Sequence, residues 1–411
     1  MNDGQQIRKG FPITSQWSSH WLWIPTLYLT RGLPYVILLM TSLVYYNRMG
    51  LSNGAITLTT SWFFLPFILR PLLGRIVVGY ESKRFWIVLT ECVMALSLVA
   101  SALSVRLDNW FSYSVAAFMV IAIAAALHDV AIERLYNREA LLLKRPAFFG
   151  LRAVSYLLSI IVGMAIPITL AGNLEVINRT VRPAWATLFW ALAVLMIALT
   201  LLHALILPKA VVRAKLPIWS GVTRQWWHDV TAAFIRRPHY VANLVFLFCF
   251  LIPEGMFIRV APLFLIDPGS NGGLALSPQE LGWVQGTVGT FAFIAGCGLG
   301  ISLVRRDGLQ RWLWFFVMAL TLPKFLFVYL SYYFVSTLSI INICIIIDYF
   351  GAGLGLTTYI VWLGFCTKGK HSTFTYSLGT AITAFSMVMS GWFTGLDRKS
   401  TRLNSSHSGE S

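Results

Sequence analysis

The chain has 411 residues, of which 57% are hydrophobic and only 12% charged. A water-soluble domain carries about 25% charged residues, so this chain lacks the polar surface that water requires, and a bilayer is its natural solvent. A formal net charge of +16 would suggest nucleic acid in a soluble protein. Here the basic residues lie in short segments between apolar runs, where they act as topology signals, and no nucleic-acid partner is expected.

A spanning helix needs about 20 mostly apolar residues. Residues 1–22 are polar at the start, show no cleavable signal pattern, and read as a cytoplasmic N-terminus. Eleven candidate spans follow, at about 23–45, 56–78, 86–105, 111–133, 149–171 and 184–207, then 240–265, 281–304, 312–333, 337–365 and 374–394. A basic segment at 208–239 divides them into a six-helix bundle, 23–207, and a second bundle, 240–396, with five helices present. The chain reads as an all-α polytopic membrane protein of two similar halves. Glycine and proline inside the spans do not count against them, because membrane helices tolerate both.

With the N-terminus inside, the inner segments hold twenty-one Lys and Arg and the outer ones four. That asymmetry fixes orientation by the positive-inside rule and supports the helix assignment, since a wrong count would scramble the alternation. Arg31-Gly32 in the first span and Glu254-Gly255 in the seventh stand 223 residues apart, and Arg84-Phe85-Trp86 and Arg311-Trp312 stand at nearly the same offset. One recurring offset is what duplicated six-helix halves leave behind. The segment Asp397 to His407 matches, codon by codon, a translation of common sequencing-adaptor DNA, so 397–411 reads as a non-native tail. On that reading the twelfth helix of the second half is cut off.

Ionisable side chains at mid-membrane cost about 2.5–3.5 kcal/mol each, and they persist where they pair or border a wet cavity. Arg31, Glu254 and Asp348 lie toward mid-depth and are the expected solute or proton site, with Lys324 and Asp129 as further coupling candidates. Asp129 and Glu133 are one helical turn apart and share a face. At a similar depth stand Arg70 and Arg75, and the four are expected to form an ion-pair cluster at the inner mouth. Arg259 is expected to snorkel to the outer surface. His128-Asp129 is not a relay, since adjacent helical residues point about 100° apart. The five cysteines form no CxxC. Metal, nucleotide and nucleophile motifs do not occur, so neither cofactor nor enzyme chemistry is expected.

Two bundles joined by a basic inner segment resemble the major facilitator superfamily. Local patches are similar to its muropeptide permease branch, which imports anhydromuropeptides. These patches are Gly32-Leu33-Pro34 in the first helix, Phe64 to Pro71 with Arg70 in the basic position, His128-Asp129 with Glu133, and the acids Glu254 and Asp348. The stretch 366–381 is also similar. Two departures stand out: Leu73-Gly74-Arg75-Ile76-Val77-Val78 lacks the acid of the superfamily's loop motif, and His128 replaces a Gln. The resemblance implies a monomeric, proton-coupled importer of a sugar- or peptide-containing solute in a bacterial inner membrane. The alternatives are a transporter of this superfamily for an unrelated solute (sugar, siderophore or drug) and a non-transporting receptor or signalling accessory.

Overall fold

The computed structural model describes residues 13–79, 83–143, 146–207, 239–367 and 372–407, all regular elements among them being helical. Among the described residues ten helices are long and apolar enough to cross a membrane: α1 Trp21–Arg48, α2 Asn53–Gly74, α3 Lys83–Ser104, α4 Trp110–Tyr136, α5 Gly150–Asn178, α6 Val181–Ile206, α7 Tyr240–Ile266, α8 Pro278–Asp307, α9 Leu309–Tyr333 and α10 Leu338–Cys366. The face at which α1 begins is called proximal and the opposite face distal. The basic segment expected to separate two bundles lies, up to residue 238, outside the described residues.

The eleventh expected span forms as a helix, α11, Ser372–His407, but is less apolar than the other ten. Several of its small and hydroxyl residues face other helices rather than lipid. Ser386 donates to the Phe248 carbonyl of α7 at 2.8 Å, and Gly391 and Gly395 lie against Ser61 and Leu58 of α2. Small and hydroxyl residues are what membrane helix interfaces use, because lipid tails give no hydrophobic drive to pack.

Most helices are interrupted. Pro253 in α7 cannot donate to the preceding turn, and α7 breaks at Phe250. Two carbonyls just before the break are taken up from outside: Leu247 accepts from the Tyr359 hydroxyl at 3.2 Å, and Phe248 accepts from Ser386. A 3-10 segment, Leu322–Lys324, interrupts α9 at Pro323. In α2 the helical path is broken ahead of Pro66 and again at Leu69, just before Arg70-Pro71. Helices α1, α5 and α8 contain π-helical segments at Ile37–Thr41, Ile161–Ala165 and Gly282–Gly289. These three touch one another in sequence, and Thr41 of α1 donates to the Gly163 carbonyl of α5 at 2.5 Å. Segments of this kind gather where helices must bend around a site.

Helices α1–α6 pack among themselves, as do α7–α11, and the two sets meet along α2–α11 and α5–α8. The glycines behind the sequence repeat occupy matching crossings. Gly32 of α1 lies against Ser159 of α5, and Gly255 of α7 lies against Ser390 of α11. At both, a Cβ would overlap the serine, so glycine is what lets the two backbones approach.

Candidate functional site

The charged residues within the spans sort into separate clusters, and several of them stand beside a proline. Arg70 precedes Pro71, Glu254 follows Pro253 and Lys324 follows Pro323. A proline break turns the adjacent side chain out of the regular helical surface and frees backbone groups that need polar surroundings. The prolines that bend these helices therefore stand next to the charges that pair between helices.

In the first cluster Asp129 of α4 is the hub. One of its oxygens pairs with the Arg31 guanidinium of α1, and the other pairs with Arg70 of α2 at 2.5 Å and accepts from the Tyr35 hydroxyl at 3.1 Å. Glu133, one turn on, lies 3.5 Å from Arg70. Tyr35 stacks on Phe67 with ring centroids 4.4 Å apart, which holds the phenol over the carboxylate. Two guanidinium groups face two carboxylates, so the cluster is neutral. It ties three helices together in the proximal half of α1, α2 and α4. The expected grouping of Arg70, Asp129 and Glu133 is present; the Arg75 side chain lies outside the described residues. Arg31, expected beside Glu254 and Asp348, instead joins this cluster. Asp129 on the next helix is a full counter-charge within reach, and among the described residues no ion pair joins Arg31 to either of those acids.

The second cluster is a triad. Lys324 of α9 lies 2.9 Å from Asp348 of α10 and 3.1 Å from Glu254 of α7. The ammonium also stands 3.9 Å from the Phe257 ring centroid, a cation–π contact that holds it toward α7. Glycines bring α10 close enough: Gly351 is against the Ala319 carbonyl of α9, and Gly353 is against α8. One cation between two carboxylates leaves a formal charge of −1. The Glu254 and Lys324 side chains are 21% exposed while that of Asp348 is 3% exposed, so the triad has a wet side and a dry side.

Three features were not read from the sequence. Arg259 does not snorkel. It is fully buried, donates to the Gly255 carbonyl at 2.7 Å and to Ser390 and the Met387 carbonyl at 3.0 Å, and lies 5.6 Å from the Phe64 ring of α2. Snorkelling loses because α11 offers two acceptors, and α7 a third, next to the guanidinium. Asp267, at the distal end of α7, accepts from Asn47 of α1 at 2.9 Å and Asn53 of α2 at 2.5 Å, bridging the two helix sets. Glu91 of α3 meets His128 of α4 and His203 of α6 in a buried cluster. Hydropathy marks such groups as costly but carries no information about which helix supplies the partner. A groove of about 550 Å³ lined by Thr59, Trp62, Phe111 and Met119 contains none of these charges, so the ion clusters and not that groove mark the candidate site.

No family model matches the chain. It is 24% identical over 368 residues to a Rickettsia conorii protein provisionally named transporter AmpG 4, covering 85% of this chain and 83% of that one. A Rickettsia felis protein of the same name is 24% identical over 365 residues. Among solved structures the chain is similar to the nucleoside transporter NupG, with a TM-score of 0.66 at 12% identity over 92% of this chain and 90% of that one. It is similar to a bacterial homolog of the human lysosomal transporter Spinster, inward-facing and unoccupied, with a TM-score of 0.66 at 14% identity over 94% and 83%. The xylose transporter XylE from E. coli gives 0.63 at 12% identity over 92% of each chain. The chain has the major facilitator fold, and its relatives are transporters rather than enzymes.

Proposed function

We propose that this multi-pass membrane transporter is a secondary active importer driven by protons, with the proximal face toward the cytoplasm of a bacterial inner membrane and the chain acting as a monomer. The observation that carries the reading is the triad of Glu254, Lys324 and Asp348, with its one surplus carboxylate. A proton taken up on Glu254 leaves a neutral acid beside an intact Lys324–Asp348 pair, so the triad can load and unload one proton without exposing an unpaired buried cation. Glu254 follows the proline break in α7, so movement at that break changes both its hydration and its distance to Lys324. Those two changes alter proton affinity as the transporter alternates between faces.

The Arg31–Asp129–Arg70 cluster acts as a proximal gate element and the Asp267 bridge as its distal counterpart. The solute is a sugar- or peptide-containing compound such as an anhydromuropeptide. This follows the muropeptide permease resemblance at Gly32-Leu33-Pro34, Arg70-Pro71, Asp129 and Glu254, together with the names of the two rickettsial relatives. The solved relatives handle nucleosides and xylose, so the fold alone does not select a solute. The test is uptake of labelled anhydromuropeptide and, in parallel, xylose and a nucleoside into vesicles with an imposed proton gradient. Accumulation of the muropeptide alone supports the reading, and accumulation that ignores the gradient removes the proton coupling.

A further inference from the structure

The cluster at Glu91 takes no part in either ion-pair group and meets α4 on a different face from Asp129. Glu91 is 0%, His128 1% and His203 0% exposed, and the three come from α3, α4 and α6. A single carboxylate oxygen, Oε1 of Glu91, lies 2.7 Å from Nδ1 of His203 and 3.1 Å from Nε2 of His128. Nε2 of His203 lies 3.1 Å from the hydroxyl oxygen of Thr26 on α1. Oε2 of Glu91 and Nδ1 of His128 have no hydrogen-bond partner.

Hydrogen counting limits what these contacts can be. The Thr26 hydroxyl donates to the Leu22 carbonyl at 2.9 Å, so its oxygen is free to accept from His203 Nε2–H. A neutral imidazole has one N–H; with that hydrogen on Nε2, Nδ1 would turn a lone pair toward the Glu91 oxygen. The 2.7 Å contact therefore needs one more hydrogen, either on Nδ1 of an imidazolium or on a protonated Glu91. His128 needs no further hydrogen: as a neutral imidazole it donates to Glu91 through Nε2. Turning the Thr26 hydroxyl to Nε2 would let a neutral His203 donate through Nδ1, but it would leave an ionised carboxylate with no cation in the membrane interior. The titratable groups facing Glu91 are these two histidines. Of the other charged groups on the packed helices, Arg84 at the start of α3 is bound to the Ala204 and Leu207 carbonyls at the end of α6. Asp129 is bound to Arg31 and Arg70 on another face of α4. Arg31 and Arg152 face Tyr28.

We propose that Glu91 and His203, backed by His128, form a second proton-binding site that holds one proton and exchanges it with the proximal face through Thr26. The hydrogen-bond chain Thr26–His203–Glu91–His128 starts at a half-buried hydroxyl one turn from exposed Leu22 and ends on α4, one residue before the Asp129 gate. The site exists whether or not the chain imports a muropeptide; only its coupling to transport rests on the proposed function. Its chemistry is not that of the Lys324 triad, since no lysine or arginine takes part.

The test uses the full chain in lipid nanodiscs, with infrared spectroscopy of carboxyl groups and nitrogen NMR of labelled histidine. At neutral pH the site should hold one proton, seen in one of two forms. Either the wild type shows a protonated-carboxyl band that Glu91→Gln removes, or one histidine carries hydrogen on both ring nitrogens and that signal disappears in His203→Gln. In both forms His128→Gln keeps the proton in place, and Glu254→Gln leaves these signals unchanged. An ionised Glu91 beside two neutral histidines would overturn the proposal, whatever the uptake measurements return.

Discussion

Replacing Asp129 with Asn is the sharpest test of the gate cluster. Asp129 is nearly fully buried, and both Arg31 and Arg70 converge on it with the Tyr35 hydroxyl. Removing one partner of a buried ion pair costs about 3–5 kcal/mol, because the remaining charge is left uncompensated. Two effects moderate this. Asn keeps one carbonyl oxygen that can still accept from a guanidinium, and Glu133 remains 3.5 Å from Arg70. Arg31 has no second carboxylate in ion-pair contact among the described residues, so most of the loss falls on it. The net expectation is a destabilisation of about 3 kcal/mol, well above the 0–1 kcal/mol typical of exposed pairs. Reversible unfolding in detergent measures it, with Arg311→Gln as control, since that side chain is 72% exposed and its removal should leave stability unchanged. Adding Arg31→Gln to Asp129→Asn should recover part of the loss. A loss below about 1 kcal/mol, or none recovered in the double variant, would refute the view of Asp129 as hub.

Other expectations follow from the same geometry. Lys324→Met should destabilise by about 3 kcal/mol, and adding Glu254→Gln and Asp348→Asn should restore most of it, because removing every charge leaves nothing unpaired; unfolding of the wild type, the single variant and the triple variant checks this. Gly32→Ala should cost about 1–3 kcal/mol by forcing α1 off Ser159, whereas Gly150→Ala, where a Cβ meets nothing within 4 Å, should be neutral or slightly stabilising in the same assay. Asp267→Ala should loosen the distal ends of α1, α2 and α7 and speed labelling of a cysteine placed near Asn53; unchanged labelling would rule out the bridge as a distal lock. For orientation, a membrane-impermeant thiol reagent should label Asn271→Cys from outside intact cells and Gln310→Cys only after permeabilisation.

Ten membrane-crossing helices were legible in the sequence because hydrocarbon demands long apolar runs and closed backbone hydrogen bonding, and those demands are local. The eleventh was found by the same ruler, although its serines and glycines answer to α2 and α7 rather than to lipid. The Arg31-Gly32 and Glu254-Gly255 match was legible because each glycine sits at an equivalent crossing, a constraint on one residue type at one place. Pairing was only partly legible. Asp129 with Glu133 follows from helical spacing, but the attachment of Arg31 to Asp129 rather than to Glu254 depends on how α1 lies against α4. Arg259 looked like a snorkelling residue because the acceptors that hold it, Ser390 and the Met387 carbonyl, are far along the chain. His203 stood near the end of a very apolar helix and gave no sign that it faced Glu91. Each of these depends on tertiary packing, to which periodicity along one helix is blind.

The central claim is that the Glu254–Lys324–Asp348 triad converts a proton gradient into solute accumulation. Purified wild type and Glu254→Gln should be reconstituted in liposomes with an inward proton gradient and compared for net accumulation and for solute exchange without a gradient. The account predicts that the wild type concentrates solute while the variant exchanges it yet fails to concentrate it. Equal accumulation by the two proteins would contradict the account.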